Sequence, residues 1–89
     1  MENAKSLKDL IKSQEVSRKE KDDNKATSIF KEILELIKNL NDNSKFDIIS
    51  KLFLLEDQSN YTKIFIFNEL LKIIILSKVK VVKENIINY

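Results

Sequence analysis

Apolar positions recur along this chain with the period of an α-helix, in four successive blocks separated by short polar links. In the first block, about Asn3 to Lys21, Leu7, Leu10 and Ile11 share one face and Gln14 continues it. Past Ile11 that face fades. Between Lys12 and Lys25 the one large apolar residue is Val16, and the mixed charges fit an exposed helix with i,i+4 pairs such as Glu15 with Lys19. A charged, solvated N-terminal helix over residues 1–22 is the expectation here, with docking on the rest and projection from it both left open. Residues 23–89 are expected to form the core helices of the same single domain.

The second block is the cleanest. Ala26, Ile29, Phe30, Ile33, Leu34, Leu36, Ile37 and Leu40 fall within one arc of about 160° at 100° per residue. Thr27, Ser28, Lys31, Glu32, Glu35, Lys38 and Asn39 fill the other side. Asp22, Asp23 and Asn24 precede it as N-cap candidates. Asn41-Asp42-Asn43 predicts a turn that tolerates the left-handed region without glycine. Ser44 to Asp47 then resembles a capping box opening a third helix. Phe46, Ile48, Ile49, Leu52, Phe53 and Leu55 form its apolar face, and Leu54 points elsewhere.

The fourth block, about Asn60 to Ser77, is apolar on most sides. Ile64, Ile66, Phe67, Leu70, Leu71, Ile73, Ile74 and Ile75 spread over roughly 200° of the helix. Phe65 and Leu76 fall inside the narrow polar stripe of Asn68, Glu69 and Lys72. Such a helix must be buried on most sides. After Leu76 the phase changes, and Val79, Val82 and Ile86 define a new face. That change predicts a kink or a short fifth helix, with a strand over Lys78 to Val81 as the alternative. The fold class is therefore all-α: a small bundle of four to five helices around the apolar helix at about 60–77.

Composition sharpens this picture. The 89 residues include no glycine and no proline, the two residues that most readily turn or break a backbone. Helices joined by Asn, Asp and Ser follow from that. There is also no cysteine and no histidine. This removes disulfides, the usual zinc ligands and the histidine base of nucleophilic catalysis. Glu32 and Glu35 lack the Glu-x-x-His partners of a di-iron bundle. Asp22-Asp23-Asn24 lacks EF-hand spacing and its glycine. No position is assigned to catalysis, a cofactor or a metal, and a non-enzymatic role is expected. The longest apolar run, Ile64 to Leu76, is interrupted by Asn68, Glu69 and Lys72 and falls short of the roughly 20 residues of a membrane span. A cytoplasmic location is the corresponding expectation.

Net charge is +2, from 16 basic and 14 acidic residues, and so near balance points to no polyanionic partner. The basic excess lies in residues 61–89. Lys72, Lys78, Lys80 and Lys83 there are candidate phosphate contacts, and a nucleic-acid-binding regulator is the alternative function. Blocks three and four would then form a helix-turn-helix, but its reading helix would begin Tyr61-Thr62-Lys63-Ile64-Phe65. That is core composition, and arginine, the commonest base reader, occurs once in the chain, at Arg18. The surplus of apolar surface carries more weight. Leu54, Phe65, Leu76, Val79, Val82 and Ile86 are the candidate interface. They predict a protein–protein interaction module: a homodimer, or a small subunit or inhibitor docked on a larger protein. The Lys-, Ile- and Asn-rich composition would suit a phage or mobile-element regulator.

Overall fold

The structure, a computed structural model, describes residues 6–87, with side chains described for 6–78. Four helices follow one another: α1 (Leu7–Lys19), α2 (Asp23–Ile37), α3 (Asp42–Phe53) and α4 (Asn60–Ile87). No strand occurs among the described residues. The protein is an all-α bundle. α1 packs on α2, while α4 carries α2 along one side and α3 along another.

Local chemistry sets each start. Ser6 caps α1 in a reciprocal box, its Oγ accepting from the Asp9 backbone N–H and its own N–H donating to the Asp9 carboxylate. The helix therefore begins at Leu7 rather than near Asn3. Asp22 caps α2 by accepting from the Lys25 N–H at 3.1 Å. Ser59 caps α4, its Oγ accepting from the Thr62 N–H at 3.2 Å.

The link between α2 and α3 differs from expectation. Asn41, not Ser44, is the N-cap of α3, and its side chain accepts from the Ser44 N–H at 2.8 Å. Ser44 is thus the third residue inside the helix. The left-handed turn predicted at residues 41–43 is absent: Asn41 is extended and Lys38 is helical.

Left-handed backbone falls instead on Lys21, with φ 58°. There the Asp22 N–H donates to Ser17 C=O and the Lys21 N–H to Arg18 C=O, both at 3.0 Å. This is the paired bonding of a Schellman motif, in which glycine is the usual left-handed residue. A lysine pays the Cβ penalty at that position. Lys21→Gly should therefore raise stability by about 0.5–1 kcal/mol, read as a higher urea midpoint at unchanged slope. Lys21→Val should lower it.

The core is small. Leu10 comes from α1, Ile29, Phe30, Ile33 and Ile37 from α2, Ile49 and Leu52 from α3, and Ile66 and Leu70 from α4. Leu36, inside the apolar arc of α2, remains exposed, and Leu40, expected on the same arc, lies beyond the helix end at Ile37 and is exposed too. The arc is wider than α1 and α4 together can cover. The molecule is a slab of 54 × 35 × 16 Å with a radius of gyration of 15.3 Å, against about 12 Å for a compact chain of this length.

A buried polar seam holds the link from α3 to α4. The Gln14 amide nitrogen donates to Gln58 Oε1 at 2.8 Å and to Ala26 C=O at 3.4 Å. The Gln58 amide donates to Leu52 C=O at 3.0 Å. Arg18 donates to Gln14 Oε1 through Nη1 and to Asp57 through Nε, the latter at 2.7 Å. Beside them the Thr27 and Thr62 hydroxyls meet at 3.0 Å across α2 and α4. Among the described residues no buried side-chain polar atom lacks a partner, as close packing in a low dielectric demands. α1 is thus docked rather than projecting, with Gln14 and Ser17 fully buried. The predicted Glu15–Lys19 pair forms on its outer side at 3.6 Å.

α4 does not break after Leu76. It runs as one helix from Asn60 to Ile87, through the segment for which a strand is the alternative. Asp42 and Asn43, where α3 begins, lie beside Ser77 and Lys78.

Candidate interaction surface

Two sides of α4 are occupied and a third is bare. Thr62, Ile66 and Leu70 lie buried in the core, with Ile73 packed against it. Phe65 turns towards α2, where Lys31 Nζ sits 5.1 Å from its ring centroid and Tyr61 meets it edge-on at 5.5 Å. Opposite the core, Ile64, Phe67, Leu71, Ile74 and Ile75 form a stripe, between 38% and 62% exposed. Their spacing of three and four residues places them on one side of the helix.

α3 widens this stripe into a face. The Phe53 ring lies 5.9 Å from Phe67, and Lys63 Nζ lies 5.7 Å from the Phe53 centroid. Towards the other end, Phe46 is exposed beside α4. A depression there of about 380 Å³ is lined by Phe46, Ile73, Ile74, Asp42 and Lys78, among others. A second, between Phe53, Ile64 and Phe67, flanks the α4 N-terminal end. The two hollows bracket one two-helix surface. Its middle is apolar, with Lys63 at one end and Asp42 and Lys78 at the other.

The six residues picked from the sequence fall in different places. Leu54 and Leu76 are exposed, at 73% and 65%. Phe65 is half-buried against the core. Val79, Val82 and Ile86 lie outside the described side chains. Of the lysines, Lys72 is exposed and bonded to Glu69 at 3.1 Å, Lys78 is exposed at the end of the face, and Lys80 and Lys83 lie outside the described side chains.

Periodicity alone assigns the stripe itself to the core. The signal that finds it is a second register: 62-66-70-73 turns inward, so 64-67-71-74 must turn outward. Thr62 hides the first register by reading as polar, although it is fully buried.

Elsewhere the carboxylates serve local structure. Asp22 caps α2, and Glu35 pairs with Lys38. Among the described residues no three acidic side chains cluster as metal ligands, and no helix is long and apolar enough to cross a membrane. No family model, curated protein or solved structure matches the chain.

Proposed function

We propose that this protein is a non-enzymatic protein–protein interaction module that binds through the α3/α4 face. One observation carries the reading: the unbroken apolar stripe from Ile64 to Ile75 on the side of α4 turned away from the core. The exposed fractions of these five side chains leave on the order of a few hundred Å² of apolar surface there. That is within the range of the largest patches on monomeric proteins, about 300–600 Å², which are often functional.

The same face disfavours reading of DNA by α4. The exposed side chains at its start are Asn60, Tyr61, Ile64, Phe67 and Asn68, where a recognition helix carries base-reading polar groups. Lys72 already shares its charge with Glu69.

The absence of cysteine from the chain gives a direct test. Leu71→Cys places one thiol in the stripe, and Ser28→Cys places one on the exposed side of α2. Both are challenged with an alkylating reagent in extract of the native host. The extract is first treated with nuclease and brought to about 0.5 M salt, where phosphate contacts are lost. The thiol at position 71 should react at least ten-fold more slowly than the one at position 28. Equal rates would overturn the reading. Protection that vanishes on nuclease treatment would replace it with nucleic-acid binding.

A further inference from the structure

We propose that the partner on this face is a second copy of the chain, seated about a two-fold axis at Leu71 with the two α4 helices antiparallel. The inference rests on the interaction reading above and names its occupant.

Spacing comes first. Ile64, Phe67, Leu71, Ile74 and Lys78 stand at intervals of three, four, three and four residues. That alternation is the seam along which one helix packs on another. From Ile64 to Lys78 the seam is about 20 Å long at helical rise, so the occupant is a helix of comparable length.

The seam also fits itself. Counted outwards from Leu71, Phe67 and Ile75 are each four residues away, and Ile64 and Lys78 are each seven. Under an antiparallel two-fold, each Phe67 meets the aliphatic Ile75 and Ile74 of the other copy. Each Ile64 meets the methylene stem of Lys78, whose ammonium reaches solvent. Phe67 and Ile64 thus each face a smaller or flexible group, Leu71 faces its twin, and Ile74 lies across from Asn68.

Helix dipoles favour the antiparallel direction. The lysines at the two ends of the seam do not choose between directions: a parallel pair sets Lys63 and Lys78 each against its twin, and the antiparallel pair sets Lys63 of one copy near Lys78 of the other.

The area supports it. A standard interface buries about 800 Å² per partner, of which a little over half is apolar. The stripe supplies a large part of that share, and the exposed Phe46 of α3 beside it adds to it.

Disulfide trapping tests both partner and direction. The wild-type mass is measured by light scattering at about 100 µM, well above a micromolar dissociation constant. Leu71→Cys, Ile64→Cys, and a mixture of Phe67→Cys with Ile75→Cys are oxidised mildly, after circular dichroism shows wild-type helicity. The wild type should have the mass of a dimer. The Leu71→Cys thiol should link to its twin, and the mixture should yield dimers joined between positions 67 and 75. The Ile64→Cys thiol should not link, because its twin would lie about 20 Å away, beyond the roughly 7 Å between Cα atoms that a disulfide spans. Linking at position 64 as readily as at position 71 would overturn the antiparallel arrangement. A monomeric wild type with no trapped product would overturn the second copy as partner. The extract experiment separates that failure from failure of the interaction reading: a protected thiol at position 71 there, with a monomer here, means a different protein covers the face.

Discussion

Phe30→Ala will cost about 3–5 kcal/mol of folding stability. Phe30 is 1% exposed and the largest fully buried side chain described. It stands on α2, the helix that joins α1 to the α3/α4 pair, and lines a hollow with Leu34 and Phe65 of α4. Truncating it removes transfer free energy and leaves a cavity that rigid neighbours only partly refill. A chain of this length has a total stability on the order of 5–10 kcal/mol. The buried apolar side chains among the described residues form one cluster, so the variant should lose a large part of its cooperative transition. Leu36→Ala is the control: it lies on the same helix but is 46% exposed, and it should move stability by less than about 1 kcal/mol. Urea denaturation followed by circular dichroism measures both. Equal losses would mean that the packing of α2 is other than described.

The second large effect is on association rather than folding. Leu71→Glu will weaken dimerisation by at least about 100-fold, or roughly 2.7 kcal/mol, while leaving the subunit folded. In the single chain Leu71 lies on the outer side of α4 and is 38% exposed, so a glutamate there can reach water and has good helix propensity. In the dimer two carboxylates would meet at the axis. Each would lose water without gaining a cation, which is costly for any buried charge. Loss of helicity at low concentration would show instead that Leu71 belongs to the core of the subunit.

Much of the architecture was legible from periodicity alone. The α2 pattern and the Asp22 cap follow from rules that act within a few residues of each other, whereas the links expected at residues 41–43 and 56–60 lie at 38–41 and 54–59. What failed involves contacts between distant segments. Thr27 and Thr62 read as polar surface, yet they are buried because each is the other's hydrogen-bond partner across two helices. Gln14 sits on the right face, but its partner Gln58 lies 44 residues on. Asparagines are the natural place to expect a left-handed residue, and it stands at a lysine. The Schellman bonds of α1 require that conformation wherever the helix stops, whatever residue stands there.

The interaction face is subject to the same limit. A helix apolar on most sides is expected to be buried on most sides, and the choice of which side stays bare depends on how many neighbours exist. With α2 and α3 as the helices packed most closely on it among the described residues, α4 keeps one side uncovered. Leu54 and Leu76 stand out in the sequence because they break the apolar arc. Ile64, Phe67 and Leu71 do not stand out, because they obey it.

The solution mass of the wild type beside Leu71→Glu, by light scattering behind a sizing column at low salt and again near 0.5 M, tests the central claim most directly. Surface ion pairs are screened at the higher salt while apolar contact persists. A wild-type dimer at both salts and a folded Leu71→Glu monomer at both are predicted. A wild-type monomer, or a dimer that survives Leu71→Glu unchanged, would contradict the assignment of this face as the self-association surface.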